Sequence, residues 1–146
     1  MRVMVMIEGD GVDEDKIEPT EEMLAAMGAY NEQLVNAGIM LDGDGLKPTS
    51  AGARIVFEGG TTSVVDGPFT EAKEIVAGFW IWEVSSLEEA IEWAKKCPSD
   101  SSGTGRQLLE IRPFFEVGDF GEAYTSEIQA QEEKLRDRIA EQHGSK

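Results

Sequence analysis

The chain predicts an α+β protein, a ferredoxin-like antiparallel sheet with two helices on one face. Three observations carry this expectation. Apolar segments follow one another as strand, helix, a run of strands, helix, strand. Strand-like segments alternate with period two, whereas helical ones keep one apolar face at about 3.6 residues per turn. A length of 146 residues suits one domain that buries its core without staples.

Val3, Val5 and Ile7 alternate with Met4 and Met6, so residues 2–8 form a first strand that is apolar on both faces. Residues 9–18 are acidic and broken by glycine, hence a loop. Pro19-Thr20-Glu21-Glu22 starts a helix, with acids in the first turn at the positive end of the dipole. Met23, Leu24, Met27, Tyr30, Leu34 and Val35 share one helical face, and Gly38 ends the helix. Ile39 to Lys47 reads as a strand with two Asp-Gly pairs. Residues 53–57 and 61–65 flank Gly59-Gly60, the signal of an extra β-hairpin.

Residues 76–84 are the most apolar strand, with Phe79 and Ile81 on one face and Trp80 and Trp82 on the other. Ser85 and Ser86, each followed three residues later by Glu88 or Glu89, offer alternative capping boxes for a second helix. Its expected inner face is Leu87, Ala90, Ile91, Ala94 and Cys97, and Pro98 stops it. Residues 99–105 form a polar loop and Gln107 to Phe115 the last strand, where Pro113 marks an edge or an end. Past Asp119 the composition favours a third helix from about Thr125 to about Glu141, with Ile128, Leu135 and Ile139 as a thin apolar stripe. The organisation expected is an α+β domain over 1–122 and a C-terminal helical extension over 123–146.

Charge excludes several functions. With 29 acids against 13 bases the net charge is −16, which repels phosphate backbones and anionic lipid. Arg2, Lys47, Arg54, Lys73, Arg106 and Arg112 are scattered, so neither nucleic acid nor membrane is an expected partner. No run approaches the ~20 apolar residues that span a bilayer. The opening segment runs into Glu8 and Asp10 without a cleavage pattern, as a strand does and a signal peptide does not. The single cysteine, Cys97, excludes an intrachain disulfide and suits a cytoplasmic location. The two-faced strand 76–84 raises a further expectation, because two helices cover one sheet face and a second subunit is the economical cover for the other.

Asp66-Gly67-Pro68-Phe69-Thr70-Glu71-Ala72-Lys73-Glu74 and the following apolar run Ile75 to Trp82 resemble the DGPF-type members of the YCII-related family. The resemblance extends over residues 1–122 through Gly38 to Leu46, Ala90-Ile91-Glu92-Trp93-Ala94 with Cys97-Pro98, and Glu110-Ile111-Arg112-Pro113. It implies a dimeric α+β barrel made by two sheets packed face to face. It implies no assigned activity. Some similar proteins are associated with extracytoplasmic-function sigma factors, which points to a non-catalytic regulatory or interaction module. Others with a proposed catalytic role carry a His-Asp dyad, but the sole histidine here is His143 in the C-terminal tail, so no dyad carries over.

The turn is where a site is expected, in a small-molecule cleft. Asp66 is the candidate catalytic carboxylate of a cofactor-independent lyase or isomerase, polarising or deprotonating a ligand. The competing reading makes it a turn keystone that accepts the N–H of Phe69 or Thr70. Lys73, Arg112 and Arg54 are the cations that would hold a small anionic metabolite, with Phe69 beside them; each is equally readable as a surface or paired residue. Gly67 and Pro68 are geometric in either case, and Pro68 follows a bond that can be cis. Asp42 and Asp44 fail the EF-hand spacing because Leu46 holds the third ligand position, so no metal and no cofactor are expected. Cys97 reads as a buried structural thiol.

Overall fold

A computed structural model describes residues 1–9, 19–69, 75–99 and 107–144. The described elements run β1 (Arg2–Gly9), α1 (Glu21–Asn36), β2 (Met40–Gly45), β3 (Ala53–Glu58), β4 (Thr61–Asp66), β5 (Ile75–Glu83), α2 (Leu87–Ala94), β6 (Leu108–Pro113) and α3 (Ser126–His143). Two compact units result, Met1–Phe114 and Phe115–Lys146. No helix among the described residues is long and apolar enough to cross a membrane.

In the first unit four strands make an antiparallel sheet in the order β2-β5-β1-β6, and β3 and β4 form a separate two-stranded ladder. With the hairpin set aside, this is the ferredoxin-like order, β1 and β5 lying at the centre. Gly59 (φ 58) and Gly60 (φ 78) make the hairpin turn, both in the left-handed region that the tight two-residue connection requires.

Each helix begins where its capping side chain is. Thr20 Oγ1 accepts the Met23 N–H at 3.1 Å, and Ser86 Oγ accepts the Glu89 N–H at 3.1 Å. Ser86 is thus the cap of α2, while Ser85 Oγ donates to Glu89 Oε2 at 2.8 Å. Both helices pack on one sheet face, where Val3, Val5, Tyr30, Leu34, Ile39, Trp80, Trp82, Val84 and Ala90 form the core. Removing Trp82, Leu34, Val3 and Val5 fully from water stabilises the fold by roughly 1.5–3 kcal/mol per side chain.

The helix stripes differ from expectation in rotation. On α1 Tyr30 and Leu34 are buried and Met27 packs beside them, but Met23, Leu24 and Val35 are 51, 62 and 59% exposed. On α2 the inward residues are Ala90, Trp93, Ala94 and Cys97, while Leu87 and Ile91 face outward. Tyr30 links the two helices, its hydroxyl donating to the Trp93 carbonyl at 2.6 Å.

The opposite sheet face carries Met4, Met6, Phe79 and Ile81, all half-buried, with Asp42, Glu110 and Arg112 in register around them. In the second unit, Thr125 Oγ1 caps α3 through the Ile128 N–H. Phe115, Phe120 and Tyr124 stack in succession with centroids 4.8 and 4.6 Å apart, and the Tyr124 hydroxyl donates to Glu132. Ile128, Leu135 and Ile139 are 42, 45 and 57% exposed.

Candidate functional site

Three glycines shape a cavity on the helix side of the sheet. β2 pairs with β5 through a register shift between Met40 and Asp42, which sets Gly43 opposite Trp80 and Gly45 opposite Gly78. Gly43, Gly45, Gly78 and Trp80 therefore share one face, and at three of these four positions no side chain fills it. Across the gap stand Met27 and Asn31, one helical turn apart on α1. The result is a cavity of about 290 Å³ lined by the three glycines and by Ile7, Met27, Asn31, Asp44, Ala77, Phe79 and Trp80.

The glycines act differently. A Cβ at Gly43 would stand 2.8 Å from Trp80 Cδ1, so glycine there lets the indole lie over β2. At Gly78 it would meet Asp44 O at 3.1 Å and Ile7 Cδ1 at 3.6 Å. At Gly45 it would meet nothing within 4 Å. Trp80 itself is fixed from two sides. The Tyr30 ring meets it edge-on with centroids 5.8 Å apart, and its indole N–H donates to Asn31 Oδ1 at 2.9 Å. An indole N–H only donates, so Asn31 is oriented with its oxygen on Trp80 and its amide nitrogen turned elsewhere.

The Asp-Gly-Pro-Phe turn is built against a second element. The Gly67 N–H donates to Gly52 O at 3.0 Å, and the Phe69 N–H donates to Thr49 Oγ1 at 3.3 Å. A Cβ on Gly67 would fall 1.6 Å from Thr49 O, closer than any side chain permits. Gly67-Pro68 is cis. Arg54 lies over the Phe69 ring, 3.8 Å from its centroid. Asp66 ends β4 opposite Ala53, exposed, with no hydrogen bond to its carboxylate among the described residues. Of the two donors that the keystone reading offers Asp66, the Phe69 N–H goes to Thr49, because the short 3₁₀ turn Thr49–Ala51 abuts the glycine, and Thr70 lies outside the described residues.

Among the residues proposed from sequence, the structure brings together Arg54 and Phe69; Asp66 pairs with Ala53, one step along the ladder from Arg54, so its side chain belongs to the other hairpin face. Arg112 stands apart, exposed on β6 opposite Met4. Lys73 lies outside the described residues. None of Asp66, Arg54, Phe69 and Arg112 lines the cavity. Cys97 is half-buried, and burial pushes its thiol up to about 11; the Tyr30 hydroxyl is raised too, by burial and then by Cys97. His143 sits exposed in the last turn of α3. Sequence reasoning missed Asn31, Gly43, Gly45 and Gly78. The available signal was the double glycine in Asp42-Gly43-Asp44-Gly45 beside a glycine within the otherwise apolar β5.

The family model of the YCII-related domain matches residues 1–114, which is the whole first compact unit. The chain belongs to the YCII-related family. A relative, the uncharacterized protein R00369 of Rhizobium meliloti (strain 1021), is 34% identical over 96 residues, 66% of this chain and 76% of that protein. The YCII-related domain thus contains the sheet, the cavity and the Asp66 turn, while the aromatic stack and α3 lie beyond the match.

Proposed function

We propose that this YCII-related protein binds a small molecule, working as a homodimer, with the ligand in the cavity between α1 and the β2-β5 edge. One observation carries the reading: three glycines on one face hollow out about 290 Å³ beside an anchored tryptophan and an oriented amide. Concave, mainly apolar sites with a few fixed polar groups are what small ligands require. Hydrogen bonding and apolar contact are what the lining offers, which favours binding over proton transfer. The test is a thermal-shift screen of a metabolite pool against the native chain and Gly45→Leu. A ligand stabilises the folded state by mass action. The leucine side chain enters the free space at Gly45, so hits that survive it place the ligand elsewhere.

The dimer reading is supported by Met4, Met6, Phe79 and Ile81 on the sheet face away from the helices. Two such faces packed together make the barrel that the family resemblance implies.

Asp66 provides a second location. Its carboxylate is exposed and does not take the Phe69 N–H, and the Arg54–Phe69 pair belongs to the same hairpin and turn, so a lyase or isomerase site, or a hold on an anionic metabolite, would centre there. A hit abolished by Asp66→Asn and indifferent to Gly45→Leu selects this location. A separate observation favours the interaction-module reading. Ile55, Phe57 and Val64 share one hairpin face and are 52, 79 and 64% exposed, more apolar surface than a two-stranded ribbon keeps in water unaided. Loss of partner capture on Phe57→Ser, without loss of fold, would support a sigma factor or similar protein as its cover.

A further inference from the structure

Resting on the cavity reading above, we infer that the ligand class of this site is a small uncharged molecule with an apolar body and a carbonyl oxygen, the oxygen taken by the amide nitrogen of Asn31. The argument starts from the Asn31 amide. Its Oδ1 is occupied by the Trp80 indole N–H, a pure donor, which fixes which end of the amide remains. The remaining end, Nδ2, carries two N–H groups that find no acceptor among the described residues, and Asn31 lines the cavity. A half-buried donor without a partner favours a ligand that brings an acceptor.

Charge then narrows the class. Among the described residues that line the cavity none is cationic, and the chain carries −16. A carboxylate or phosphate would lose hydration there without gaining a counter-charge. A cation fares no better at the fixed group, because an ammonium would meet N–H donors. Asp44 lines the cavity as Phe79 does: the two are in register, their side chains belong to the opposite face of the sheet from Gly43 and Gly45, and their carbonyl oxygens are what stand 3.1 Å from a Cβ placed on Gly78 and on Gly43. Ile7, Met27 and the Trp80 ring supply the apolar enclosure. The volume lies at the lower end of ligand pockets, so ketones, lactones and simple amides are the fitting members.

Four probes of matched shape test this: acetophenone, benzoate, benzylamine and toluene. Binding is read by NMR from the Trp80 indole resonance, for the native chain and for Asn31→Asp and Gly45→Leu, each checked for a native-like unfolding transition. Asn31→Asp keeps an oxygen for the Trp80 N–H and deletes both free donors. Acetophenone is expected to bind the native chain at least tenfold more tightly than benzoate or benzylamine. Asn31→Asp should lower acetophenone affinity tenfold or more, leave toluene unchanged and shift the preference toward benzylamine. Benzoate or benzylamine binding as well as acetophenone, or acetophenone indifferent to Asn31→Asp, would overturn the ligand class and leave the cavity standing. No binding by any probe, or binding unaffected by Gly45→Leu, would overturn the cavity itself.

Discussion

At the scale of single residues, Thr49 meets the Asp-Gly-Pro-Phe turn at two points. Its carbonyl occupies the space a Gly67 side chain would need, and its hydroxyl takes the Phe69 N–H. Gly67→Ala should therefore destabilise by about 3 kcal/mol, the upper end of over-packing costs, since the neighbour that must give way is backbone. Thr49→Val should cost about 1 kcal/mol for the stranded N–H, and Asp66→Ala should stay within about 0.5 kcal/mol. Denaturant unfolding of the three variants gives the ranking, and an Asp66→Ala loss exceeding that of Thr49→Val would return the carboxylate to the turn. Cys97 supplies a pH prediction. Its folded-state pKa of about 11 lies above the ordinary 9.0, so the unfolded chain releases the proton first. Stability from this group is then intact below about pH 9 and lost between about pH 9 and 11. Melting temperatures at pH 8 and pH 10.5 should fall further apart in the native chain than in Cys97→Ala; equal falls would mean the thiol is effectively solvated.

At the scale of elements, α1 and α3 show two ways in which an apolar stripe is used. α1 buries Tyr30 and Leu34 and lends Met27 and Asn31 to the cavity, while Leu24 and Val35 remain outside. α3 leaves all three of its stripe residues more than 40% exposed, and its unit is compact by itself. Deleting residues 115–146 should thus leave Met1–Phe114 folded, at a cost of about 1–3 kcal/mol. Circular dichroism with denaturant checks this, and a truncated chain without a cooperative transition would show that the second unit completes the first. The boundaries of α1, β5 and the Gly59-Gly60 hairpin were legible within about two residues, because caps, glycine turns and period-two alternation are local signals. The rotation of α2 was not. Leu87 and Ile91 satisfy helical spacing as well as Trp93 does, and the choice between the faces is made by the core on which Ala90, Trp93 and Ala94 pack.

At the scale of the whole molecule, the two tryptophans of β5 separate folding from association. Trp80 and Trp82 are 3% and 0% exposed beneath the helices, whereas Phe79 and Ile81 occupy the other face. Trp82→Asp should therefore abolish the fold, since it puts an unpaired charge into the core. On the proposed dimer the native chain should give about twice the chain mass by light scattering, and Phe79→Lys should keep the fold and halve that mass. A native monomer would remove the sheet-face argument, and a Phe79→Lys dimer would move the interface elsewhere.

The sequence by itself determined the order of elements, the added hairpin, the family and the two-faced character of β5. The elements, the hairpin and the strand are written in composition, periodicity or turn chemistry among near neighbours, and the family in a resemblance of several motifs along residues 1–122. Tertiary structure alone decided that the tryptophan face is the helix face, that Thr49 takes the Phe69 N–H, and that Asn31 and Trp80 meet over three glycines. Those facts depend on pairing register and helix rotation, which join residues far apart in the chain. A cavity is the extreme case: it is made by side chains that are missing on two strands at once, and no single segment can announce it.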